Sequence, residues 1–291
     1  MTTQPTLFVS GAAGQLGRLV VASLLEKGYA GKIIAGTRDP AKLADLKGVE
    51  VRQADFTDKA GLVKALAGVD RFLIISTDAL GTRLAHHTAA IEAAKEAGVK
   101  ELVYTSMPTP EPPSAITFAP EHYGTEQAIK ASGIPYTILR MAWYAEALIG
   151  SLPPALASGH WYTSTAGGKV ANPTRLDCAR AAAGALLRPA ANRTLDVTGP
   201  EALSVAQIAA IASEVTGKPL QVIEVTDEQL GAGAKAAGVP EFVVDNFIVP
   251  FDRNTREGKV DIVSTAVEDL WGAKPTTIRD FLTANKAALV G

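Results

Sequence analysis

Three glycines near the start of the chain are spaced to hold a phosphate. Gly11, Gly14 and Gly17 lie in Gly11-Ala12-Ala13-Gly14-Gln15-Leu16-Gly17, directly after the apolar run Thr6-Leu7-Phe8-Val9-Ser10. The first glycine permits a tight turn, the second lets the backbone approach a pyrophosphate, and the third lets a helix pack closely on a strand. A helix opening at Gln15 turns its free N–H groups and the positive end of its dipole toward an anion. A second signal comes from Ala35-Gly36-Thr37-Arg38, which ends a second strand. The residue at that position reads the adenosine ribose: an acid selects NAD, whereas Arg38 can make paired charge-assisted bonds to a 2′-phosphate. The expected cofactor is therefore NADP(H). Asp39 follows at once, but Asp39-Pro40 reads as a capping residue with proline in a first helical turn. Asp55-Phe56 suits the edge and face of an adenine, or else Asp55 caps the helix that follows.

These residues need strands to carry them, and the pattern supplies strands. Thr6–Ser10, Lys32–Gly36, Val49–Gln53, Arg71–Ser76, Glu101–Ser106 and Tyr136–Arg140 read as strands. Helical patterns fall at Gln15–Leu25, Ala41–Leu46, Lys59–Leu66, Arg83–Ala97 and Glu121–Ala131. Phe72-Leu73-Ile74-Ile75 and Leu102-Val103-Tyr104 lack polar alternation, as strands covered on both faces do. The expected fold is α/β, a Rossmann-type doubly wound parallel sheet with right-handed crossovers and ligands beyond the carboxyl ends of its strands. After Arg140 the rhythm changes. The expected division is 1–150 as the NADP-binding domain, with 175–200 returning to its sheet, and 151–291 as a smaller α/β lobe that forms a lid over the substrate. The stretch from Pro108 to Pro120 reads as a stiff loop over the site.

Composition narrows the function classes. The 291 residues are 47% hydrophobic and 20% charged, enough for one large core with an appended lobe. A net charge of −2 argues against a nucleic-acid surface. One cysteine excludes an internal disulfide and a cysteine-rich metal site, so no metal is expected. The chain enters its first strand with no charged and apolar leader, and no run is long enough to span a bilayer. The expected location is cytoplasmic.

Further along, the chain resembles the NmrA-like atypical short-chain dehydrogenases/reductases. The resemblance rests on the Gly-x-x-Gly-x-x-Gly spacing, Val51-Arg52-Gln53-Ala54-Asp55-Phe56, Ile74-Ile75-Ser76-Thr77, Tyr104-Thr105-Ser106 and Pro135-Tyr136-Thr137-Ile138-Leu139-Arg140. Within that family, His122 with Thr125-Glu126, Trp143-Tyr144, Thr174-Arg175-Leu176-Asp177 and Thr198-Gly199-Pro200 are most similar to the NAD(P)H-dependent quinone oxidoreductases, with triphenylmethane reductases nearby. The resemblance implies cofactor contacts from Gly11 through Gly17, at Arg38, Ser76, Leu80-Gly81-Thr82, Thr105 and Ser106, and around Trp143-Tyr144 beside the nicotinamide. Met141-Ala142 stand where relatives often carry proline or glycine.

The chemistry then follows from a missing pair. Typical short-chain dehydrogenases protonate a carbonyl with a tyrosine whose pKa is lowered by a lysine four residues on. Here Tyr123 is followed at that distance by Gln127, and Lys130 lies seven residues along. A quinone accepting hydride becomes a stabilised anion, and a cationic dye becomes neutral; neither needs a strong protein acid. Holding NADPH against an electron-poor ring would suffice. Candidate walls for that ring are Met107, Phe118, Trp143, Tyr144 and Trp161, each of which could equally be core. Tyr144, His122 and Tyr123 are the candidate catalytic groups, with His122 either giving a proton to product or capping its helix. The expected function is an NADPH-dependent reductase of quinones or similar acceptors; the alternative is a non-catalytic NADP(H)-sensing regulator with a protein partner. Expected partners are a small quinone-like acceptor, no nucleic acid and no membrane, with room for a homodimer.

Overall fold

The computed structural model describes residues 4–290. In chain order the elements are β1 (Leu7–Val9), α1 (Gln15–Glu26), β2 (Ile33–Thr37), β3 (Glu50–Gln53), α2 (Lys59–Ala65), β4 (Arg71–Ile74), α3 (Arg83–Glu96), β5 (Glu101–Ser106), α4 (Ala119–Ser132) and β6 (Tyr136–Met141). Next come α5 (Ala147–Ser158), β7 (His160–Thr163), β8 (Lys169–Val170), α6 (Arg175–Leu186), β9 (Arg193–Val197), β10 (Leu203–Ser204), α7 (Val205–Thr216) and β11 (Gln221–Glu224). The chain closes with α8 (Asp227–Ala236), α9 (Glu241–Val243), α10 (Val249–Arg256), α11 (Ala266–Trp271), α12 (Ile278–Ala284) and α13 (Lys286–Val290).

Seven strands form one parallel sheet in the order β3-β2-β1-β4-β5-β6-β9. The strand order reverses beside β1, where β2 and β4 flank it, and this is where ligands bind in such sheets. Alternate residues of each strand feed opposite cores. Leu7, Val9, Leu73 and Val103 pack under α1, α6 and α11. Phe8, Phe72, Ile74 and Tyr104 pack under α2, α3 and α4. A two-residue side-chain period with both faces covered explains the unbroken apolar runs of these strands.

The lobe has its own core, formed by Leu148, Leu152 and Leu156 of α5 with residues of α7, α12 and α13. Two small sheets accompany it, β7 with β11 in parallel and β8 with β10 antiparallel. Strand β9 lies outside that lobe and pairs with β6 at the edge of the main sheet. Two local readings differ from the sequence pattern. The helix expected at 41–46 is a single 3₁₀ turn, Pro40–Leu43, capped where the Asp39 carboxylate accepts from the Ala41 N–H at 3.1 Å. Only Leu43 of that turn is buried, too little apolar surface to extend it. Conversely, α5 runs straight through Pro153 and Pro154. Those prolines withhold N–H groups from the turn beginning at Ile149 and Gly150, and Gly150 is exposed, so water can satisfy its carbonyl.

Candidate functional site

A cleft of about 440 Å³ opens at the carboxyl ends of β1, β2, β3 and β4. Its floor is the glycine turn, where Gly11, Ala13 and Gly14 line the space. Gly11 adopts φ +59°, which a residue with a side chain enters at a cost. The turn is pinned to the sheet from both sides. The Ser10 N–H donates to Leu73 O, the Ser10 hydroxyl accepts from the Ile75 N–H at 2.9 Å, and the Ala12 N–H donates to Gly36 O. Gly14 is the N-cap of α1 and brings no side chain to it. The first helical bond runs from the Arg18 N–H to Gly14 O, so the N–H groups of the opening turn have no acceptor within the helix. A Cβ on Gly17 would lie 2.7 Å from Ala12 Cα and 2.8 Å from Gly11 C. Gly17, Ala12 and Leu16 therefore serve close packing of helix on turn, Gln15 is exposed beside it, and none of the four lines the cleft.

The far end of the cleft follows from β2. A side chain at Gly36 would enter the Phe8 ring, so glycine there lets β1 and β2 pack while Arg38, two residues on, stands exposed in the cleft. Asp39 shares the lining, but its carboxylate is taken up by the Ala41 N–H. Lys42 stands in the same wall, a second cation that the sequence reading passed over. The nearby Arg18 is engaged elsewhere, with Asp45 at 2.9 Å and the Lys42 carbonyl. Asp55 accepts from the Thr57 N–H at 2.9 Å and the Thr57 hydroxyl at 2.8 Å. Those bonds, led by the backbone one and helped by the charge of Arg38, hold its carboxyl below the usual range. The cap of α2 is Asp58, not Asp55, which leaves Asp55 and Phe56 on the cleft wall. His86, also missed from sequence, faces them. Its only signal was its place one turn inside a helix that begins beside the site.

Around β5 and β6 most hydrogen-bonding capacity is already used. The Thr105 hydroxyl accepts from the Ser76 N–H at 2.9 Å. The Ser106 hydroxyl donates to Glu126 Oε1 at 2.7 Å, and Glu126 is wholly buried. Arg140 closes on Glu126 through Nε at 2.9 Å and Nη2 at 2.7 Å, and Glu111 joins the same guanidinium. Lys130 lies 3.7 Å from Glu126, so its charge serves that carboxylate rather than Tyr123. A buried ion pair thus occupies the neighbourhood where an acid pair would operate.

Two of the three candidate acids, His122 and Tyr144, are held in states that disfavour giving up a proton. His122 is buried, its Nδ1 is 2.8 Å from the Tyr104 hydroxyl, and burial lowers its pKa well below the ordinary value. A neutral imidazole has no readily lost proton to give, which weighs against the proton-donor role. Burial pushes the Tyr144 phenol up, so it keeps its proton; its hydroxyl meets Met141 Sδ at 3.6 Å and the Arg175 guanidinium lies 5.1 Å from the ring centre. Tyr123 is half-buried on α4. His87 lies behind them, its pKa lowered to about 3, chiefly by burial. The Thr77 N–H donates to its Nε2 at 3.1 Å, which puts the ring proton on Nδ1, 3.0 Å from the Thr125 hydroxyl.

Of the expected walls, Met107, Phe118 and Trp143 come together, joined by Ile116, Ala119 and Phe251. Trp143 and Phe251 stack at 4.2 Å with 12° between their planes. Trp161 does not belong. It packs on β7 into the lobe core beside Ile149 and Ile211, because the chain has by then crossed into the lobe. Leu80, Gly81 and Thr82 also lie off the cleft lining, which takes in Ala79 before them and His86 after them. Among the described residues no three His, Cys, Asp or Glu side chains gather as a metal site, and no helix is long and apolar enough to cross a membrane.

The NmrA-like family profile matches residues 3–282. The chain is 35% identical over 275 residues to quinone oxidoreductase 2 of Escherichia coli, covering 94% of this chain and 96% of that protein. An NADPH-dependent quinone oxidoreductase from Escherichia coli, solved with NADPH, superposes with a TM-score of 0.90 at 34% identity, covering 96% of this chain and 99% of that one. The Citrobacter sp. triphenylmethane reductase, solved with NADP(H), gives 0.89 at 33% identity, covering 97% of this chain and all of that one (100%).

Proposed function

The chain belongs to the NmrA-like family, and from that premise we propose that it is an NADPH-dependent oxidoreductase that delivers hydride to a quinone or a similar electron-poor ring without a tyrosine–lysine acid pair. Its residues fit the cofactor. The opening turn of α1 presents backbone N–H groups with no acceptor in the helix, and Arg38 and Lys42 offer two cations where the 2′-phosphate of NADPH would lie. Asp55, Phe56 and His86 would receive the adenine. NADPH, when bound, supplies the hydride.

The observation that carries the reading is the Ser106–Glu126–Arg140 network. It takes up the serine, and with His122 neutral and Tyr144 holding its proton, no side chain nearby is poised as a strong acid. The work left to the protein is orientation and exclusion of water. The Trp143, Phe118, Met107 and Phe251 cluster suits both, since flat apolar walls position an aromatic ring. A quinone suits such a site because its reduced anion needs no immediate proton from the protein. The compartment that fits is the cytoplasm, where the single buried thiol stays reduced.

Steady-state NADPH oxidation, followed by absorbance with menadione and 1,4-benzoquinone, tests the proposal. Turnover with both quinones and a preference of about tenfold or more for NADPH over NADH are expected. Tight NADPH binding with no turnover on either quinone would refute it and return the chain to a sensing role.

A further inference from the structure

Helix α10 carries the least satisfied side chain in the lobe. Asn254 is wholly buried, and neither its Nδ2 nor its Oδ1 has a hydrogen-bond partner among the described residues. Leaving a buried amide unpaired costs more than the net gain from pairing one. Asn254 follows Phe251 by three residues, so the two are neighbours on one face of the helix. Phe251 is the ring stacked on Trp143. Two more buried atoms without partners lie near the same stack. One is Trp143 Nε1; the other is the Oδ1 of Asn172, whose Nδ2 donates to the Trp143 carbonyl at 2.7 Å. Asn172 leaves β8 two residues after Val170, and β8 is pressed on α10 so tightly that a Cβ at Gly168 would lie 2.8 Å from Thr255 C.

Resting on the reading of this site as a quinone reductase, we propose that Asn254 is an acceptor-specificity residue that binds a carbonyl oxygen of the quinone, with its ring laid on Trp143. Because Phe251 covers Trp143 at 4.2 Å, a quinone laid on Trp143 requires the Phe251 ring to turn aside. The Asn254 amide and the Trp143 Nε1–H then offer donors to quinone oxygens. The chemistry of an amide suits both sides of the reaction. Its Nδ2 donates to a quinone carbonyl and its Oδ1 accepts from a hydroquinone hydroxyl, whereas an apolar side chain can do neither. Sites built to bond a substrate's polar group discriminate strongly against analogues that lack it.

The test compares Asn254→Leu, similar in size but unable to bond, with Asn254→Ser, which keeps a hydroxyl. Two readouts are used: calorimetric titration of menadione into the NADP⁺-bound protein, where no turnover occurs, and the ratio of kcat/KM for menadione to that for a cationic triphenylmethane dye, which has no carbonyl oxygen. Asn254→Leu should weaken menadione binding and lower the ratio by about tenfold, and Asn254→Ser should recover much of both. NADPH affinity, measured separately, reports whether either variant keeps its fold. Menadione binding and a ratio unchanged in Asn254→Leu, with a higher melting temperature, would show the amide to be a structural burden and overturn the inference while leaving the reductase standing. A wild-type protein that neither binds nor reduces menadione would defeat the functional reading itself and this assignment with it.

Discussion

Gly14 and Gly17 look alike in the sequence, and the structure separates them into a glycine that lines the cleft and a glycine that packs helix on turn. At Gly17 an added methyl would meet the Gly11 carbonyl and lie 2.7 Å from Ala12 Cα. Both neighbours are hydrogen-bonded backbone, the Gly11 carbonyl accepting from the Gly14 N–H and the Ala12 N–H donating to Gly36 O, and cannot yield cheaply. Overpacking costs roughly 1–3 kcal/mol, and contacts with backbone as close as these belong to the upper part of that range, about 2–3 kcal/mol. Alanine in a helix interior returns up to about 1 kcal/mol relative to glycine, so Gly17→Ala should lose about 1–2 kcal/mol net. In a chain of this size that lowers the melting temperature by roughly 2–8 °C. At Gly14 the added methyl meets only the Gly11 carbonyl oxygen, at 3.2 Å, and the backbone φ of −78° is ordinary. Alanine is a poorer N-cap than glycine, so the stability cost is below about 1 kcal/mol. Gly14 does, however, line the cleft, where we expect an added methyl to hold off a pyrophosphate. Thermal unfolding of the ligand-free protein and calorimetric titration with NADPH, run on the same preparations, should therefore dissociate. Gly14→Ala should melt near the wild type yet bind NADPH at least tenfold more weakly, and Gly17→Ala should melt early. The reasoning fails if Gly14→Ala binds NADPH like the wild type, because the turn would then not be the phosphate cradle.

Other perturbations probe the remaining parts of the site. Arg38→Ala should weaken NADPH by roughly tenfold or more and NADH little, with Lys42→Ala weaker in the same direction; equal losses for both cofactors would remove these cations from the 2′-phosphate. Tyr123→Phe should leave single-turnover hydride transfer to a quinone within a few-fold of the wild type; a fall of roughly 100-fold or more, with NADPH affinity retained, would restore tyrosine as an essential acid. The pH dependence of stability has a definite sign. The folded pKa of His87, about 3, lies below the ordinary histidine value of 6.5, so the unfolded chain binds the extra proton. The stability it contributes is complete above about pH 6.5 and is lost as pH falls toward 3, at up to about 1.4 kcal/mol per unit, and His122 acts in the same direction. Urea unfolding between pH 7 and 4.5 should show a shallower slope in His87→Gln; an unchanged slope would show that His87 is not held neutral.

The sequence alone determined the sheet and the phosphate end of the site, because both rest on local rules. Unbroken apolar runs such as Phe72–Ile75 announce strands covered on two faces, and a glycine turn between β1 and α1 announces an anion cradle whatever lies farther along the chain. Arg38 was legible for the same reason, being two residues beyond a buried glycine on a strand that could be counted. Tertiary structure decided the rest. Trp143 and Trp161 are both aromatic residues after the sixth strand, yet only Trp143 meets Phe118 and Met107, since β7 carries Trp161 into the lobe core. Phe251 comes to Trp143 from more than 100 residues away, and no spacing rule links them. The state of the candidate acids was likewise hidden. Burial keeps His122 neutral and Tyr144 protonated, and Glu126 takes Ser106 and Arg140 into one ion pair, all of which depend on which groups share a low-dielectric interior rather than on their order along the chain.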